Sequence, residues 1–187
     1  MSNLLVFDIE ANGFLNESTS IHCISYQLLN EDKPASLFKE DLNKEVLLYL
    51  FSNKKYIIGH NIISYDVPMI KKFYGIDLLK LLGKDAIIDT YVWSRVSFPD
   101  RPMPKGCPTI LTNPYGPNKK IGPHGLESWG YRMGERKLAI HDWSTFTPEM
   151  IERCEGDVTI NLKTYFYLCK EMGLDPYDPY RVTNEII

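Results

Sequence analysis

Four apolar residues, Leu4 to Phe7, run straight into Asp8, and a second carboxylate, Glu10, follows two positions later. Such a run predicts a strand buried on both faces. Side chains alternate along a strand, so Asp8 and Glu10 point to one side of the sheet and Ile9 to the other. Two carboxylates side by side at the end of a buried strand repel each other and destabilise the fold unless positive charge sits between them. Whatever is built around residue 8 must supply that charge.

The rest of the chain limits what the charge can be. At 187 residues and 44% hydrophobic, the sequence is sized for one domain with a substantial core. Its formal net charge of −3 excludes a protein that holds nucleic acid by bulk electrostatics, so any such contact must be local or metal-assisted. Cys23, Cys107, Cys154 and Cys169 show no C-x-x-C spacing, and no leader is evident, which together predict free thiols in a reduced cytosolic setting. No apolar run reaches the roughly 18 residues of a membrane span, so no membrane partner is expected.

Residues 3 to 8, 21 to 29 and 34 to 39 read as strands of an antiparallel meander, with turn chemistry at Asn12-Gly13 and Asn30-Glu31-Asp32. A helix near 42 to 53, a strand in "KYIIGHN", a helix after Asp66, a short "AIID" segment and a helix in "TYVWSRV" follow. That alternation predicts an α/β domain with parallel strands added beside the meander. From Pro99 to Pro123 seven prolines interrupt the pattern, with Arg101, Lys105, Lys119 and Lys120 between them. This Pro-rich insertion reads either as a surface loop or as a basic loop that touches a phosphate backbone. The last long helix begins with Thr147 as N-cap and Pro148 at its first position and ends near Gly173, with a tail from about 174 to 187. Its apolar stripe is Ile151, Cys154, Val158, Leu162, Tyr165 and Cys169, and Asp157 lies at the stripe's edge. Trp129 is at helical spacing with Leu126 and Met133, which favours the core over base stacking.

Asp66, in "GHNIISYDVPMI", follows a buried strand and opens a helix, where an Asp is most often a simple N-cap. Asp157 has Arg153 one turn before it as a ready partner. Taken together, Asp8, Glu10, Asp66 and Asp157 each sit where a buried element presents a side chain at its end or edge. Carboxylate oxygens are hard ligands preferred by Mg²⁺ or Mn²⁺, and two such ions about 4 Å apart form a common device for phosphodiester hydrolysis.

The motifs "FDIEANGF", "HNIISYDVP" and "RCEGDV", with "IDTYVWSR" and "PHGLESWGYRMG" between the last two, resemble the 3′–5′ proofreading exonuclease domain of family A DNA polymerases of the podophage type. This places the chain beside the DEDD (DnaQ-like) exonuclease superfamily. The resemblance implies a ribonuclease H-like fold with a central mixed sheet of about five strands flanked by helices. It implies that Asp8, Glu10, Asp66 and Asp157 bind two metal ions and that Glu10 also meets the terminal 3′-hydroxyl. Phe14 would be a wedge against the terminal bases, although core packing is its ordinary alternative. His60, Asn61 and the backbone at Ala11 and Asn12 would line the path of the last nucleotides, whereas His60 and Asn61 otherwise read as a satisfied turn. The expected partners are a single-stranded DNA 3′ end and a polymerase domain or subunit.

The pattern departs from the resemblance at one point. The family's Tyr four residues before the last Asp is Arg153 here, and Glu152 stands where the other branch has its His. Arginine cannot accept a proton, but it can grip a phosphate oxygen or neutralise Asp157 against a metal. The first outcome keeps an exonuclease and is favoured because all four acids are present. The second would leave a 3′-end-binding or polymerase accessory module, and a change of substrate would give a 3′–5′ exoribonuclease.

Overall fold

A computed structural model of the protein describes residues 4–108, 110–111, 119–120 and 122–186. β1 (Leu4–Ala11), β2 (Ile21–Leu28) and β3 (Ala35–Phe38) form the expected antiparallel meander. α1 (Lys44–Ser52) starts at Asn43, whose side chain accepts the Val46 N–H at 3.0 Å. β4 (Tyr56–Gly59) then pairs parallel with β1. After α2 (Asp66–Tyr74) and α3 (Leu78–Leu82), β5 (Ile87–Asp89) pairs parallel with β4. The mixed five-stranded sheet therefore runs β3-β2-β1-β4-β5 and puts β1 at its centre.

That central place explains the unbroken apolar run. Leu4 and Val6 pack with Ile58, Ile88 and Val158 on one face, while Leu5, Phe7 and Ile9 pack with Leu47, Phe51 and Met69 on the other. Asp8 and Glu10 are in phase with Leu4 and Val6. They face the layer formed by α4 (Thr90–Ser97), α5 (Leu126–Met133) and α6 (Pro148–Met172).

α6 begins after Thr147, which is extended, with Pro148 in the first turn, and it stops at Gly173, where φ is +65°. The Thr147 hydroxyl makes no capping hydrogen bond to the helix backbone. The buried face is broader and more polar than the apolar stripe suggested. It holds Cys154, Val158, Tyr165 and Cys169 together with Asp157, Asn161 and Thr164, whereas Ile151 and Leu162 are only half-buried. Trp129 is fully buried, as its spacing with Leu126 indicated.

Two outer regions differ from the sequence reading. In the Pro-rich insertion, β6 (Ile110–Leu111) and β7 (Lys119–Lys120) pair antiparallel. Pro114, Pro117 and the Lys119 and Lys120 side chains lie outside the described residues. Arg101 is not available to a phosphate: it is 6% exposed, pairs with Glu171 at 2.5 Å and lies over the Trp129 ring. The segment after Gly173 carries α7 (Pro179–Ile186) and buries Val182 in the core, so it is more than a tail. All four cysteines are free, and among the described residues no helix is long and apolar enough to cross a membrane.

Candidate metal centre

Asp8, Glu10 and Asp157 each offer a carboxylate oxygen, and these oxygens lie within 4.8 Å of one another. β1 presents the first two on one face, and α6, packed across that face, presents the third, which is 3% exposed. Cys154, one turn earlier on α6, donates its thiol to the Asp8 carbonyl at 3.3 Å and fixes the helix against the strand.

Asp66 arrives from the opposite layer. Parallel pairing of β1 with β4 ends at Val6 and Ile58. Beyond it the Ile9 N–H donates to Asp66 Oδ1 at 3.2 Å. Asp66 is the first residue of α2, and the N-cap position belongs to Tyr65. The carboxylate therefore reaches across to β1 instead of capping its own helix.

The turn that carries Asp66 is held from below by Asp89. Its Oδ1 accepts the N–H groups of Asn61, Tyr91 and Val92 at 3.0 to 3.2 Å, and its Oδ2 accepts that of Ile63 at 3.2 Å. Asn61 adopts φ +63°, a conformation that asparagine tolerates better than most residues. Beside it, His60 Nδ1 lies 2.9 Å from Thr90 Oγ1, which also hydrogen-bonds Asn161 Oδ1 at 2.6 Å. His60 Nε2 is buried without a partner, so the turn is only partly satisfied.

On the other flank Asn12 is consumed by its own loop, its Oδ1 accepting from Ser18, Thr19 and Ser20. Its backbone N–H is committed as well, donated to the Ser20 carbonyl at 3.2 Å, and Ala11 pairs with Ile21 in the sheet. Tyr65 and Lys72, from the turn and helix of Asp66, bind the loop carbonyls of Gly13, Leu15 and Ser18. Phe14, at the tip of this tethered loop, is 75% exposed, which rules out the core-packing alternative.

Two cations of the chain itself enter the cluster. Arg153 does face it, as one helical turn from Asp157 requires, but its partner is not Asp157. Its Nε pairs with Glu10 Oε1 at 3.0 Å, its Nη1 binds the Leu138 carbonyl, and its guanidinium lies against Trp143. Asp157 Oδ2 is taken instead by Lys137 Nζ at 2.6 Å. Lys137 and Asp89 are the two residues missed from sequence. Lys137 follows the α5 stop at Gly134 in a stretch without periodicity, and Asp89 looked like the end of a strand.

The electrostatics follow from crowding. Burial, then the neighbouring Asp66, Asp157 and Glu10 carboxylates, push the Asp8 carboxyl well up, against a smaller opposing pull from Lys137. Burial pushes Glu10 up to about 7, with Arg153 holding it back. Asp66 is raised by burial despite its backbone hydrogen bonds. His60 is driven down to about 3, mainly by burial and then by Lys137, so its ring is neutral. These acids strongly favour a further positive charge. The donor set is all carboxylate oxygen, and Asp157 Oδ1 is buried with no hydrogen-bond partner, so the residues fit a hard divalent cation such as Mg²⁺ or Mn²⁺.

Residues 5–99 match the sequence family described as the RNase_H superfamily. The chain belongs to that superfamily. It is also 33% identical to the DNA-directed DNA polymerase of Enterobacteria phage T3 across 84% of its own length, and spans about a quarter (25%) of that relative. Among solved structures, Brucella melitensis NrnC with bound Mg²⁺ superposes with a TM-score of 0.60 at 13% identity, covering 100% of this chain and 84% of that one. E. coli Exonuclease I in complex with a dT13 oligonucleotide does so with a TM-score of 0.60 at 12% identity, covering 92% and 42%. At such identities these two likenesses carry the superfamily fold alone.

Proposed function

We propose that this chain is a metal-dependent 3′–5′ exonuclease that shortens single-stranded or frayed DNA ends to nucleoside monophosphates, as a polymerase's proofreading domain or subunit or by itself. The observation that carries the reading is the convergence of Asp8, Glu10 and Asp157 within 4.8 Å, from a central strand and the helix packed across it. The similarity to a phage DNA polymerase over most of the chain supports DNA as the substrate.

Asp8, Glu10, Asp66 and Asp157 would hold two Mg²⁺ or Mn²⁺ ions. Bound there, the metal would polarise the attacking water and stabilise the departing oxygen. The overall change is attack of water on the terminal phosphodiester, breakage of its P–O3′ bond and protonation of that O3′. Glu10 orients the terminal 3′-hydroxyl. Phe14, exposed on its tethered loop, wedges against the last bases. His60, Asn61 and the backbone of Ala11 and Asn12 line the strand's path. Arg153, whose planar fork suits phosphate, takes a phosphate oxygen when metal relieves Glu10.

The test is digestion of a 5′-labelled single-stranded oligodeoxynucleotide in Mg²⁺, Mn²⁺ or chelator, for the parent and Asp8→Asn. The parent should give a ladder shortening from the 3′ end with either metal and none in chelator. Asp8→Asn should be slower by about a hundredfold or more. It should also keep or raise the thermal midpoint of the metal-free protein, because it removes one of several repelling carboxylates. Parent-like digestion by the variant would remove this site from the reaction.

A further inference from the structure

Lys137 is placed with some care for a residue in an irregular segment. The carbonyl of the next residue, Leu138, is held by Arg153, and Glu135 two positions earlier pairs with Lys163 at the surface. The Lys137 side chain is 14% exposed and its ammonium rests on a carboxylate that is 4% exposed. Asp157 is thus divided: Oδ2 is held by Lys137 and Oδ1 is left unpartnered. A metal drawing on both oxygens must compete with the ammonium for one of them.

Charge counting indicates where the ammonium goes. Without metal, Lys137 and Arg153 are the cluster's own partial neutralisation. If two divalent ions balance four carboxylates, both side chains become surplus cations beside a site built for a strand end. Lysine is a point charge on a stem of rotatable bonds, so it can leave Asp157 without any movement of the backbone.

We infer that Lys137 is a built-in rival of the metal at Asp157, and that metal loading transfers its ammonium from Asp157 to a backbone phosphate of the bound strand. This rests on the exonuclease reading above and adds to it a positioning residue with two successive partners. The corollary is that strand affinity and metal affinity are linked through one side chain. Metal frees the ammonium for phosphate, and phosphate keeps it away from the metal ligand.

The experiment compares parent, Lys137→Met and Lys137→Arg. Mn²⁺ is titrated calorimetrically without DNA, and a single-stranded oligodeoxynucleotide is bound in Ca²⁺. Lys137→Met should bind Mn²⁺ roughly tenfold more tightly, since a buried cation competing for Asp157 is gone, and should bind the oligonucleotide several-fold more weakly. Its thermal midpoint should fall in chelator, where Asp157 is left without a cation, and recover in Mn²⁺. Lys137→Arg should return both affinities towards the parent. Unchanged or weaker Mn²⁺ binding by Lys137→Met overturns the rivalry, and unchanged oligonucleotide binding overturns the transfer to phosphate. If the parent binds no Mn²⁺, or Asp8→Asn binds it equally well, the metal site itself is wrong and the inference falls with it.

Discussion

Glu10 carries the most informative single-residue chemistry. Its carboxyl is raised from 4.5 to about 7 by burial, although Arg153 pulls the other way. A folded-state pKa above the unfolded one means that the fold prefers the protonated acid. That contribution to stability is complete below about pH 4.5 and is lost as the pH rises through about 7. Asp8 and Asp66 are raised as well and act in the same direction. In chelator, the thermal midpoint should therefore fall between about pH 5 and pH 8, and the fall should be shallower in Glu10→Gln, which cannot ionise. An equally steep fall in the variant would assign the pH dependence elsewhere. The acids themselves were readable from sequence because each ends or edges a strongly patterned element. The partners of Arg153 and Asp157 were not. Spacing on α6 fixes the direction of Arg153, but Glu10 is 143 positions away in sequence, and helix periodicity carries no information about β1.

Among the elements, the β4 to α2 connection decides whether Asp66 reaches β1. β4 ends at Gly59, and a Cβ there would lie 2.5 to 2.7 Å from three side-chain atoms of Ile62, including its Cβ. Since the Ile62 Cβ cannot swing aside, Gly59→Ala must move the turn that also holds His60 and Asn61. The variant should lose about 1–3 kcal/mol of stability, the usual range for overpacking a core. Its Mn²⁺ affinity should fall as Asp66 shifts from Ile9. Denaturant unfolding and a metal titration check the two effects, and a variant with weakened stability but parental metal affinity would show that Asp66 is not part of the site. The strands and α6 were legible because apolar periodicity is strong there. The segment from Pro99 to Pro108 was not, since Arg101 is placed by a distant partner, Glu171, that no local pattern reveals. α7 was missed because eight residues, with Tyr180, Val182 and Ile186 spread among polar ones, are too few for helical periodicity to stand out.

At the scale of the whole molecule, a chain of net charge −3 gains little affinity for DNA from counterion release. Its clustered acids repel a terminal phosphate, and among the described residues Arg153 and Lys137, which reach the cluster, are committed to Glu10 and Asp157. Strand binding should therefore depend on metal that balances the acids and frees those cations. Ca²⁺ accepts oxygen ligands and generally supports little hydrolysis in such sites, so it separates binding from digestion. The decisive measurement is the fluorescence anisotropy of a labelled single-stranded oligodeoxynucleotide titrated with the protein in chelator and in Ca²⁺ at low salt. The account predicts weak binding in chelator and clear binding in Ca²⁺ without shortening of the strand. Tight binding in chelator that calcium leaves unchanged would contradict it.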